Sequence, residues 1–201
     1  VIAAGPICSK SRRLQRTADF HAATTFGPID QAERAIARVR SVHRHVVGTA
    51  ADGRAYAAND PHLLRWVHLA EDDSFLAAHS AYGALPLTDD ERDEYVRQMA
   101  VIARALGVPA QPESARALRD QLRAYRPELH STPEARDAAR YLLLQPPMKA
   151  ALRPLYAVLG SAAVTLLPRW ARWPLRLPSL PVVEAVAVRP AGDALVRGLR
   201  W

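Results

Sequence analysis

The strongest constraint on this chain is its punctuation. Start and stop signals for helices recur along it, with apolar residues at helical spacing between them. Thr88-Asp89-Asp90-Glu91 has the form of a capping box and opens a segment that reaches Leu106 and stops at Gly107. Ser131-Thr132-Pro133-Glu134 reads as a second box, with a proline inside the start, and its helix ends before Pro146-Pro147. Asp60-Pro61 places a capping acid before a proline at the first helical position, and that helix runs to Tyr82 with Gly83 after it. Its inward residues are expected to be Leu64, Val67, His68, Phe75 and Ala78. Asp30 is the expected cap of an earlier helix, in which Ala32, Ala35, Ile36, Val39, Val42 and Val46 recur at i, i+3, i+4 spacing until Gly48. Further helices fit residues 12–25, 114–125 and 191–201.

Three segments stand apart. Asp52-Gly53 is a strong hairpin dipeptide, and it predicts a short two-stranded excursion near residues 46–58. Residues 152–167 are the most apolar stretch, which at roughly 14 residues suits a buried core helix rather than a membrane span. A helix lying on a membrane surface is the other reading of that stretch. From 168 to 190 the chain is rich in proline with Trp170 and Trp173, and an irregular surface wrap is expected. With 201 residues, no internal repeat and no dividing shift of composition, the expectation is all-α: a single-domain helical bundle, globin-like in general character, with one hairpin.

Composition narrows the function classes. The 49% hydrophobic fraction is too high for a disordered chain, and no apolar run approaches the ~20 residues of a membrane span. Cys8, the single cysteine, excludes an intrachain disulfide framework and an all-cysteine metal site, and its terminal position suits nucleophilic catalysis poorly. No secretory signal is legible, which points to the cytoplasm. The net charge of +7 is an excess of +5 over residues 1–45 and +6 over 145–201 around a centre of −4. All the bases but Lys10 and Lys149 are arginines, which suit bidentate contacts to carboxylate or phosphate.

Glycine-rich phosphate loops, the G-x-S-x-G elbow and H-E-x-x-H are absent. His43 and His45 close the second helix, where the macrodipole favours positive charge. His68 and Asp72 stand one turn apart beside Glu71 and Asp73, a pair that can hold a metal, orient a ring, or make a polar contact between helices. Arg13 and Thr17 share a face of the first helix, with Arg16 and His21 nearby; a guanidinium and a hydroxyl aimed at one place suit a carboxylate, a phosphate or a bound oxygen species.

These strings together resemble a helical oxygenase family. Arg13-Leu14-Gln15-Arg16-Thr17 with Phe20 and Phe26-Gly27 is similar to a motif of the latex-clearing (rubber) oxygenases and the fungal endoplasmic-reticulum oxygenase MpaB. The likeness continues through Val39-Arg40-Ser41-Val42-His43, Asp52-Gly53-Arg54, Tyr56-Ala57-Ala58-Asn59-Asp60-Pro61, Leu64-Arg65-Trp66-Val67-His68 and Asp73-Ser74-Phe75. It extends to Arg126-Pro127-Glu128-Leu129 and Ala138-Ala139-Arg140. The chain departs from the family at Val47, where many members carry a basic residue, and Val1-Ile2-Ala3-Ala4-Gly5 resembles only the tail of an upstream region.

The resemblance implies haem b held by an axial histidine, and an oxidoreductase that uses molecular oxygen on an apolar, isoprenoid-like substrate. His43 corresponds to the iron ligand, with His45 as the rival; Arg13 and Thr17 correspond to residues beside the haem, where they position oxygen. Arg13 and Arg16 suit its propionates, and His68 with Asp73 matches a supporting polar string. Val39, Val42, Phe75 and Leu76 are candidates for apolar contact with the macrocycle. The resemblance also implies a chain that lacks the family's N-terminal part, active or, for want of it, inactive. The competing expectation is a basic helical binding module for an anionic membrane surface or nucleic acid, resting on Arg169, Arg172 and Arg176 interleaved with Trp170 and Trp173. No helix-turn-helix or single-strand platform is legible, which disfavours nucleic acid and leaves peripheral membrane contact as the partner to consider.

Overall fold

In the computed structural model, which describes residues 7–50, 52–145 and 148–200 with side chains from Arg12 onward, all regular structure is helical apart from one two-stranded hairpin. The expectations placed on Val1–Gly5, on the Cys8 thiol, on Pro146-Pro147 and on Trp201 lie outside the described residues.

Helices α1 (Ile7–Phe26) and α2 (Ile29–His43) are joined by Gly27-Pro28 and pack on each other. Pro28, extended at ψ 154°, takes the cap position that was expected of Asp30. Its fixed φ suits the entry to a helix, and its carbonyl accepts from the amides of Gln31 and Ala32. Asp30 falls in the first turn and pairs with Arg34 at 2.6 Å. Helix α2 also ends earlier than its apolar register suggests. Val46 and Gly48 lie beyond it because β1 (Val47–Thr49) pairs antiparallel with β2 (Ala55–Ala57), Gly48 opposite Tyr56. The hairpin is where Asp52-Gly53 puts it, with the Arg54 amide donating to Asp52 at 3.1 Å.

Helix α3 (Pro61–Tyr82) begins as expected, the Asp60 carboxylate accepting from the His62 amide at 2.8 Å. Its inward face differs. His68, Leu69, Asp72 and Leu76 are buried, whereas Val67 and Phe75 are exposed. The helix is turned by about one residue from the apolar stripe, because Asp72 occupies a core position that a hydrophobic pattern assigns to water.

Helix α4 (Asp89–Leu106) carries the full capping box, Thr88 and Glu91 satisfying each other's amides. It ends in a Schellman motif: Gly107, at φ 94°, adopts a conformation costly for any side chain, and the Val108 amide reaches back to Ala103. Helix α5 (Ala115–Ala124) is capped by Ser114 and by Asp93 of α4, which accepts from the Ala115 amide at 2.8 Å. Helix α6 (Pro133–Leu144) is capped by Thr132, not Ser131. Glu134 therefore stands at the second helical position, too early to close a box.

Helix α7 (Arg153–Leu166) is the expected apolar helix, yet only Ala162 and Val164 are buried and Leu155 and Leu159 are exposed. The segment expected to be irregular holds helix at both ends. Helix α8 (Arg169–Arg172) precedes a turn, and α9 (Pro181–Val183), a five-residue π-helical segment (Glu184–Val188) and α10 (Arg189–Leu199) follow one another without a break. We refer to that run as helix 181–199.

The chain groups into two compact units: Val1–Asp73 with Thr88–Pro127, and Ser74–Leu87 with Glu128–Trp201. The core of the first is built from Leu69, Val96, Ala100, Ala103 and Leu118. In the second, Arg172 is buried and each of its three guanidinium nitrogens is engaged, donating to the carbonyls of Leu167 and Thr165 and to Glu184 at 2.7 Å. Gly192 lies against the Tyr82 ring; a Cβ there would stand 2.9 Å from it.

Candidate functional site

Asp72 is among the four largest side chains fully withdrawn from water, with Leu69, Leu118 and Val96. It is 1% exposed, and His68, one turn earlier, is 6% exposed. The His68 Nε2 lies 3.1 Å from Asp72 Oδ2. Burial, reinforced by the charge of Glu71, pushes Asp72 up to about 8. Burial also lowers the basicity of His68, against the smaller pull of Glu71. At neutral pH the two therefore face each other uncharged, as a carboxylic acid and an unprotonated imidazole. Their approach is off the line of a hydrogen bond, and His68 Nε2 and Asp72 Oδ1 find no hydrogen-bond partner among the described residues.

Glu71 turns the other way. It pairs with His21 of α1 at 2.8 Å, and that hydrogen bond raises the histidine above 6.5 against its own burial. Tyr95 of α4 is pushed above the usual phenol range by burial and by the nearby Asp72 and Glu71. Burial raises Asp73 as well, with Arg119 of α5 opposing. α3 thus carries a band of titratable groups into the first unit.

The other singled-out residues lie on α1 and α2. Arg13, Arg16 and Thr17 are exposed. The Thr17 hydroxyl donates to the Arg13 carbonyl at 3.1 Å, so the two are linked through backbone rather than presenting their heads together. Among the described residues neither the Arg13 nor the Arg16 guanidinium has a hydrogen-bond or ion-pair partner. His43, the last residue of α2, is half-buried, and burial alone lowers its pKa. Its ring has no hydrogen-bond or ion-pair partner among the described residues, while His45 lies past the helix end, exposed. An open hollow beside the α1–α2 turn is lined by Asp19, Ala22, Ala23, Phe26, Gly27 and Gln31; of the motif residues only Phe26 and Gly27 line it, and none of the candidate site residues does.

The structure therefore brings His68 to Asp72 and leaves His43 and Arg13 without a direct contact. The His21–Glu71 link and Tyr95 were not anticipated. His21 did carry a signal, since it falls on the inward face of α1 one turn after Thr17. Tyr95 carried none, because a tyrosine in an amphipathic helix is ordinary core. Among the described residues no group of three or more His, Cys, Asp and Glu side chains is disposed to hold a metal ion. Haem iron is a different case, because the macrocycle brings its own nitrogens and asks the protein for an axial side chain.

Fold and site together define an all-α protein with a histidine–carboxyl interior and a free histidine on its second helix. The family model described as ER-bound oxygenase mpaB/B'/Rubber oxygenase, catalytic domain, matches residues 8–201, and the chain belongs to that oxygenase family. No curated protein and no solved structure matches the chain.

Proposed function

We propose that this chain is a haem b-dependent oxygenase that acts on an apolar, isoprenoid-like substrate with molecular oxygen, its 201 residues serving as one oxygenase-like domain. The observation that carries the reading is family membership over residues 8–201. The donor chemistry fits a haem. A ring that burial keeps unprotonated and that no protein group engages has a lone pair for iron, and His43 is such a ring. Arg13 and Arg16 are free cations suited to the propionates. His43 and Arg13 both lie roughly 20 Å along their helices from the Gly27-Pro28 turn, counting 1.5 Å per residue, which sets them towards the same end of the α1–α2 pair. Bound haem would supply the iron at which dioxygen is activated. The chain's own part is to hold that iron through His43, to neutralise the propionates through Arg13 and Arg16, and to keep Thr17 beside Arg13 where oxygen is positioned. His68, inside the same unit, supports α3 from within, beside Asp72.

Titration of the protein with haem, followed by its absorption spectrum, tests the assignment. A shifted Soret band that His43→Ala abolishes and His45→Ala leaves in place is the expected result. No shift, or a shift unchanged by His43→Ala, removes His43 as ligand. Oxygen uptake with an isoprenoid oligomer, lost in Arg13→Ala, is expected of the active form; uptake absent in a haem-loaded chain would assign the inactive one.

A further inference from the structure

Helix 181–199 is built inside out. The side it turns inward is marked by residues one turn apart: Glu184, Val188 and Gly192, the last buried against Tyr82. A surface helix docked in this way presents polar residues outward. Here the outward positions are Val182, Val183, Ala185, Val186 and Ala187, and Val182 and Val186 are 74% and 73% exposed. The acid of the segment, Glu184, faces in and is consumed by Arg172 at 2.7 Å and by the Leu180 amide at 3.0 Å.

That contact also holds the preceding turn against the start of the helix. The turn adds exposed Leu180 and Trp173, the latter 86% exposed. The same segment carries Arg169, Arg176 and Arg189, all exposed; none has a hydrogen bond or close ion pair among the described residues, and Arg189 acts on Glu184 only through its charge. Arg176 is held at φ 55°, in the left-handed region.

We infer that the outward face of helix 181–199, with Trp173 and the arginines Arg169, Arg176 and Arg189, is a docking surface for a bilayer of anionic lipid. Valines without a protein neighbour insert at the level of the acyl chains, an indole settles at the interface, and arginines reach headgroup phosphates and carboxylates. Charge complementarity selects this occupant over a second copy of the chain. A two-fold contact through this face would set three unpaired arginines against their own equivalents. Both acids within residues 145–201 are already spent, Glu184 on Arg172 and Asp193 on Arg197. The surface lies outside the residues proposed to hold haem, so the two readings stand or fall separately.

Cosedimentation of the full chain with phosphatidylcholine vesicles, with and without phosphatidylserine, tests the inference. Binding to the anionic vesicles alone is expected, weakening with salt. Each of Arg169→Gln, Arg176→Gln and Arg189→Gln should lower the partition coefficient about fivefold, the equivalent of about 1 kcal/mol per basic residue at the surface. Val182→Ser with Val186→Ser should abolish the binding while circular dichroism stays unchanged. A blue shift of tryptophan emission on adding anionic vesicles, missing in Trp173→Phe, is the independent signature. Equal binding to neutral and anionic vesicles overturns the inference. So does concentration-dependent dimerisation lost in Val186→Ser without vesicle binding, or binding to duplex DNA through the same arginines with none to vesicles.

Discussion

Helix α3 and helix 181–199 break the same rule in opposite directions. α3 hides polar groups: His68 and Asp72 occupy positions that Leu or Val fill in an ordinary amphipathic helix, while Val67 and Phe75 look outward. Helix 181–199 displays apolar ones, with valines outside and its glutamate inside. Inside α3, loss of hydration fixes the protonation state of each group, so the polar residues there act as neutral partners. On helix 181–199 the cost is paid in exposed apolar surface, which water penalises until something covers it. A departure from amphipathicity thus carries information in both senses: buried polarity marks internal chemistry, and exposed apolarity marks a surface with a use.

The comparison is open to attack in several ways. Leu69, fully buried beside His68, should be the most sensitive position: Leu69→Ala is expected to lower unfolding free energy by about 2–5 kcal/mol in urea titration. A cost below about 1 kcal/mol would mean that the α3 interior is loosely packed, and the contrast would fail at its inner end.

The next effect is on pH dependence. Asp72 holds its proton up to about 8 in the folded chain and only to 3.8 when unfolded. The folded state therefore binds more protons between those values, and stability falls as pH rises from one to the other, levelling off above. The His21 pKa, raised by Glu71, adds a loss of the same sign: its contribution is complete below 6.5 and disappears as pH passes the raised value. Thermal melts across this window should show a decline on the order of a few kcal/mol. Asp72→Asn should remove most of it and leave the shallower parts of the same sign due to Asp73 and His21, with the lowered His68 and His43 opposing them. A stability that rises with pH over the same range contradicts the neutral-pair description.

Smaller differences sharpen the two ends. Thr88→Ala removes a capping box from α4 and should cost about 1 kcal/mol. Helix 181–199 begins at Leu180 with no side-chain cap, so its first turn is tied by Glu184 instead. Smallest of all, Val186→Ser should change stability by no more than about 0.5 kcal/mol in the isolated protein. A cost comparable with that of Leu69→Ala would mean that the outer face is already covered by protein in solution.

What the amino-acid sequence revealed followed from the range of the interactions involved. Caps and turns are local, so Thr88–Glu91, Asp60-Pro61, Asp52-Gly53 and Gly107 could all be placed from neighbouring residues. Helix phase is not local. Spacing makes Asp72 a partner for His68 but leaves its depth open until the burial supplied by other segments is known, and the expected stripe through Val67 and Phe75 lies about one residue from the buried one, which keeps His68. The 168–190 segment holds helix at its two ends for a related reason, since Pro168 and Pro181 signal helix starts as readily as helix breaks. The string from Arg13 to Thr17 and the one ending in His43 pointed to a family that the match over residues 8–201 bears out. The approach of His68 to Asp72 within α3 follows from their i, i+4 spacing, whereas the link from His21 of α1 to Glu71 depends on a contact between helices that no spacing encodes.

The π-helical segment at Glu184–Val188 sets the phase of everything after it. Its wider turns accommodate a residue count that a regular helix would not, and Gly192 arrives opposite Tyr82 only because of that count. Loss of one residue between 184 and 188 would let the helix close to regular turns with the later residues near their present phase, whereas loss of one between 189 and 191, in regular helix, would rotate those that follow by about 100°. Tyr82 would then confront a side chain where it now meets a bare backbone. The π-helical segment behaves as a vernier that takes up one residue, while between it and Gly192 length is as tightly specified as residue type, and insertions or deletions there should be tolerated far less well than exposed substitutions.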